Sequence, residues 1–262
     1  MLRAFSTAAT GMSAQQMIVD TIANNLANMN TAGFKRSQVD FQDLVYVEIA
    51  PAGREVSAGV RAPSGLDIGC GVRPVSTLRV FTQGEAENTE RNLDIMIEGD
   101  GFLQITLPNG ETRYTRDGSL RMNATGALVT AGGYSLSPTV TIPPDWRSIS
   151  IGDDGTVTVF AGASNTPTVA GQIALARFAN PSGLKAEGSN LLSETPASGT
   201  PTAGTAGDAG FGTIRQGFLE RSNVQMVQEL VNLITAQRAY EINSRAIRAG
   251  DEMLTTANRL IS

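Results

Sequence analysis

Five aspartates in the middle of the chain are the residues whose type comes closest to chemistry. Asp94, Asp100, Asp117, Asp153 and Asp154 could supply a carboxylate pair for glycosidic bond cleavage, or oxygen ligands for calcium. Four of these five lie in turn-like sequence beside glycine, where aspartate is favoured because it bonds its own backbone. Turn chemistry is therefore the better reading. Gly69-Cys70-Gly71 and Gly99-Asp100-Gly101 are only fragments of phosphate-binding loops; neither completes a motif that opens a helix. Cys70 is the sole cysteine and the chain has no histidine. That removes the Ser-His-Asp and Cys-His triads, His-ligated zinc and any intrachain disulfide, and leaves Cys70 without an activating base. The lone Trp146 reads as core. The expectation is no catalytic residue, no cofactor and no metal.

The elements around these residues fit that expectation. Of 262 residues, 41% are apolar but only 17% charged and 5% aromatic, with 28 glycines marking frequent turns. A net charge of −5 without a basic block argues against nucleic-acid binding. No apolar run reaches the roughly 18–20 residues of a membrane span, so no membrane insertion is expected. The N-terminal stretch lacks the basic region, apolar core and cleavage site of a secretory signal.

The N-terminal region, 1–34, reads as helix. Phe5, Ala8, Met12, Gln15, Val19, Ile22, Leu26 and Met29 alternate at spacings of three and four, with Asn30 to Gly33 as the stop. Its other faces are almost uncharged, which predicts packing on several sides. The C-terminal region, 222–262, answers it. Met226, Leu233, Tyr240, Ile247, Leu254 and Ile261 repeat every seven residues, the period of a left-handed supercoil. Ser222-Asn223 is the expected N-cap. The two helices together predict an antiparallel coiled coil made from the chain ends.

Between them the pattern changes to period two, with hairpin turns expected at 108–110, 117–118, 123–126 and 153–155. The fold class is therefore α+β: long terminal helices pairing as a coiled coil, with an inserted antiparallel β domain. The boundaries read as an extended connecting segment over 35–71, a β-rich domain over 72–194, and a flexible linker over 195–221, whose first part is nearly all Gly, Pro, Ala, Ser and Thr. The asparagines near the end of the first helix need a reason, since asparagine is a poor helix interior residue. Bonds from their amides to neighbouring helices would supply one.

Residues 23–36, with Asn24, Asn25, Asn28, Asn30, Gly33 and Phe34, resemble the N-terminal signature of the rod and hook proteins of the bacterial flagellum. Asn223, followed by Arg238, Glu241 and Asn243 within residues 237–243, resembles their C-terminal signature. Residues 63–75, 114–119 and 128–133, and the stretch 44–63, are most similar to distal-rod members of that family. The resemblance implies a homo-oligomeric helical tube that transmits torque from motor to hook, with the paired helices lining an export channel and the β domain outside. It implies contacts with proximal rod proteins, the hook protein and the surrounding periplasmic and outer-membrane rings. It also implies a position in the basal body, where the rod crosses the periplasm, reached through the flagellar type III export apparatus without a cleaved signal. Phe41 and Val45 match the Phe-x-x-x-aliphatic pattern of early export substrates, and four-residue spacing would put them on one face of a helix. The alternatives are a proximal rod or hook subunit, a secreted cell-wall-binding or hydrolytic β protein, and a monomeric adaptor with a helical stalk.

Overall fold

A computed structural model describes residues 2–57, 60–162 and 166–261. The chain divides into two compact units. The first comprises residues 1–26, 37–78 and 225–262, the second residues 27–36 and 79–224.

The first unit is built on two helices, α1 (Leu2–Ala27) and α2 (Met226–Ile261). At 1.5 Å per residue they are about 39 and 54 Å long. They run antiparallel, since a side chain on Gly11 would meet Asn243 while one on Gly250 would meet Phe5. The rest of the unit is a set of two-stranded ladders. Ser37–Asp43 pairs with Val72–Arg79. Val47–Ala50 pairs antiparallel with Leu66–Ile68, and Glu55–Ser57 with Val60–Arg61. The described residues 47–57 and 60–68 thus build a hairpin arm of two successive ladders rather than an unstructured extension.

The second unit holds the main core. In its largest sheet Phe102–Thr106 is central, flanked by Thr112–Thr115 and by Ala174–Arg177 and Ser135–Leu136. Ile95–Glu98 is covered by Thr213–Gln216, and Trp146–Ile151, Thr156–Ala161 and Thr168–Gln172 form a meander. Ile95, Leu103, Ile105, Leu120, Leu128, Val157, Leu175 and Ile214 fill one core. Phe102, Tyr114, Phe178, Leu184 and Leu192 fill a second, with their rings in edge-to-face contact. Trp146 packs partly buried against the first.

Four expectations change. The first helix stops at Ala27, because Asn28 turns the chain: Thr31 donates to the Asn28 carbonyl and, through its hydroxyl, to the Asn28 side chain. Strand Val72–Arg79 belongs with Ser37–Asp43, so the β unit resumes at residue 79 rather than 72. The segment 195–221 is not a flexible linker; it carries Thr202–Thr205, Thr213–Gln216 and Phe218–Glu220, each paired. Its small side chains are what packing requires there, for a Cβ on Gly204 would stand 2.4 Å from the Phe211 ring. Finally, Asp117-Gly118 does not close a hairpin, since the strands on either side of it pair elsewhere. The turns at 109–110, 123–126 and 153–155 do, joining strands that pair in register.

Candidate functional site

The helix pair is the first of two places where the chain ends meet. Among the described side chains of α2 the buried or half-buried positions are Glu229, Asn232, Leu233, Ala236, Ala239, Asn243, Ser244, Ile247, Gly250 and Leu254, mostly at spacings of three and four. The expected stripe supplies Leu233, Ile247 and Leu254, whereas Met226 and Tyr240 remain 46% and 43% exposed. The side chain of Ile261 lies outside the described residues. On α1, Ile22 is buried and Phe5, Met12, Val19 and Leu26 are half-buried, while Met29 lies past the helix end. Hydrophobicity alone misses further buried positions on the two helices, which are small or polar: Ala14, Asn25, Glu229, Ala236 and Gly250. A Cβ on Gly250 would stand 2.8 Å from the Phe5 ring, so the backbone itself admits that ring.

Asn25 does not bond a neighbouring helix. Its Nδ2 donates to the Ser37 carbonyl and its Oδ1 accepts from the Ser37 amide, both at 2.9 Å. One amide side chain thereby stands in for a strand neighbour at the start of Ser37–Asp43. Asn24 and Asn30 are exposed, as are Arg238 and Glu241 on the outer face of α2. Glu241 lies one turn before Arg245 and pairs with it at 3.7 Å.

The second meeting place is inside the β unit. Lys35 Nζ donates to Glu220 Oε1 at 2.6 Å and to the Thr82 carbonyl at 2.8 Å. Arg116 Nε donates to Glu220 Oε2 at 2.7 Å, and its terminal nitrogens donate to the carbonyls of Gly99, Gly101 and Ile97. Gly84 donates its amide to Glu220 Oε1, and Gly33 donates its own to the Glu220 carbonyl. The three charged side chains are 4%, 7% and 1% exposed for Lys35, Arg116 and Glu220. Burial pushes the Glu220 carboxyl up, but Arg116 and then Lys35 more than offset this and hold it below its ordinary value. Burial also pulls the Lys35 ammonium down, and Glu220 restores only part of that shift.

Asn223 completes the clasp. It does not cap α2, which begins three residues later; its Nδ2 donates to the Val80 and Thr82 carbonyls and its Oδ1 accepts from the Arg36 amide. Gly33 (φ +67°) has no room for a side chain, since a Cβ would lie 2.6 Å from the Arg116 carbonyl carbon. Phe34 beside it is half-buried. Both end signatures therefore converge on the strands around residues 80–84. Nothing in the sequence marks Lys35, Arg116 and Glu220 as partners, although Lys35 lies inside the N-terminal signature.

Among the described residues, two apolar surfaces have no cover. On α2, Val227, Leu230, Val231, Ile234 and Ile242 are 71%, 40%, 51%, 51% and 65% exposed. On and beside the hairpin arm, Val45, Tyr46, Ile49, Leu66 and Ile68 are exposed as well, Val45 at 83%. Phe41 is half-buried in the strand Ser37–Asp43, so Phe41 and Val45 share no helical face in the folded chain. Patches of this extent mark interaction surfaces. Of the five aspartates, Asp117 and Asp154 make the expected local bonds, to the Ser119 and Thr156 amides.

Comparison with known proteins gives matches at both ends and in the β unit. Residues 5–35 match the flagella basal body rod protein family, residues 96–159 the D1 domain of flagellar hook protein FlgE/F/G, and residues 215–260 the C-terminal family of flagellar basal body rod FlgEFG proteins. The flagellar basal-body rod protein FlgG of Borreliella burgdorferi is 48% identical over 99% of both chains. That of Caulobacter vibrioides is 46% identical over 100% of both, and that of Bacillus subtilis 39% identical over 97% of both.

Proposed function

Because the chain belongs to the FlgG family of flagellar basal-body rod proteins, which are structural subunits of the distal rod and not enzymes, we propose that it assembles with copies of itself into a helical tube. The tube transmits torque from motor to hook and encloses the export channel. The terminal helices form its inner wall and the β unit its outer layer, with the hairpin arm between residues 47 and 68 adding contacts that stiffen it. Proximal rod proteins, the hook protein and the surrounding rings are its neighbours.

The observation that carries this reading is the exposed row Val227, Val231 and Ile234 on a helix whose other side is already occupied by the α1 seam. Such a helix is apolar on more faces than one partner can cover, as in a wall of packed subunits. Ile247→Asp places a charge in the seam at a cost of several kcal/mol. It should abolish motility and stop rod completion while the β unit keeps its melting temperature. Normal swimming would overturn the assembly role of the helix pair.

Export supplies a second element of the proposal. Val45 does not pack within the folded chain, which favours a role before folding, with Phe41 and Val45 presented to the export apparatus as a small apolar anchor. Phe41→Ala should retain the protein in the cytoplasm at normal levels. Secretion of the variant without assembly would assign Phe41 to packing instead.

A further inference from the structure

The β unit contains a cavity of about 260 Å³ that no part of the rod reading uses. Its apolar side is formed by Phe81, Phe102 and Phe178, whose rings meet edge to face at 5.5 and 5.8 Å. Lys35 and Arg116 also line it, two cations that share the single carboxylate of Glu220, so the wall is net positive. At the rim stand Arg177 and Asp100, both exposed. Among the described residues the Arg177 guanidinium makes one hydrogen bond, from a terminal nitrogen to the Gly210 carbonyl at 3.1 Å. The Asp100 carboxylate has no hydrogen bond or ion pair among the described residues, and it does not pair with Arg177 although both border the same opening.

We propose that this cavity binds an apolar α-amino acid, free or as the C-terminal residue of a peptide. The carboxylate of the ligand is held by Arg177 in a fork that suits planar anions, and by the positive wall behind it. The side chain rests on the phenylalanine rings. A free α-ammonium, where present, pairs with Asp100. The volume lies below the roughly 300–1,000 Å³ of sites for drug-sized ligands, which limits the occupant to about one residue.

The test is titration of the full-length protein with L-phenylalanine, N-acetyl-L-phenylalanine and L-phenylalaninamide, followed by nuclear magnetic resonance of labelled phenylalanine rings. L-Phenylalanine should give saturable shifts, and the amide, which lacks the carboxylate, should bind roughly tenfold more weakly. Arg177→Gln should weaken L-phenylalanine by a similar factor at an unchanged melting temperature, and Arg177→Lys should recover part of the loss. The acetylated probe separates the two sources. Affinity equal to that of L-phenylalanine points to a peptide C-terminus, whereas weaker binding that Asp100→Asn imposes equally on L-phenylalanine points to the free amino acid. Absence of saturable shifts, or binding indifferent to Arg177→Gln, would overturn the proposal.

Discussion

Replacing Glu220 with glutamine keeps the shape of the side chain and removes its charge. Lys35 and Arg116, which approach the carboxylate to 2.6 and 2.7 Å, would then face a neutral amide. Water can take over only in small part, because the two cations are only 4% and 7% exposed. Removing one partner of a buried ion pair costs about 3–5 kcal/mol. For a unit of this size each kcal/mol corresponds to about 2–4 °C, so melting should fall by roughly 6–20 °C. Scanning calorimetry of the purified protein at neutral pH reads this directly. The double variant Lys35→Met with Glu220→Gln should recover part of the loss, since it leaves one buried cation instead of two. A Glu220→Gln protein melting within about 2 °C of the parent would show that the clasp is not held by charge, and would refute the reasoning.

Acid should act on the same group. With its folded value held below the ordinary 4.5, Glu220 contributes stability that is complete above the unfolded value and is lost as pH falls through the folded one. Between about pH 6 and pH 3 the parent should therefore lose melting temperature more steeply than Glu220→Gln. Gly250→Val sets a β-branched side chain against the Phe5 ring, where even a Cβ would stand at 2.8 Å. Overpacking of this kind costs about 1–3 kcal/mol; the helical circular-dichroism signal should melt earlier while the calorimetric transition of the β unit stays in place.

The terminal helices could be read from the sequence because Phe5 to Leu26 and Leu233 to Leu254 repeat at helical spacing, which is a local property of the chain. Further buried positions on them could not. Glu229, Ala236 and Gly250 are small or polar and carry little apolar signal, and at Gly250 burial follows from how closely the backbone admits the Phe5 ring. Turns at Asn109-Gly110 and Asp154-Gly155 were readable for the same local reason. The strands of 202–220 were not, because their pairing depends on partners far upstream such as Ala174–Arg177 and Ile95–Glu98 rather than on their own composition. The clasp is the extreme case. Lys35 and Glu220 are 185 residues apart, and Arg116 and Glu220 are 104 apart, so no short window along the chain contains two of its three charged side chains.

That separation also governs when the β unit can become native. A chain that emerges N-terminus first, from a ribosome or any narrow conduit, carries Lys35 out long before Glu220 follows. Until then Lys35 and Arg116 have no counter-ion, and Ile95–Glu98 stands as an open edge awaiting Thr213–Gln216. High contact order slows folding because distant segments must be brought together before their contacts reward it. Here the consequence is one of order: the clasp and the edge of Ile95–Glu98 can be completed only after residues 213–220 have been delivered.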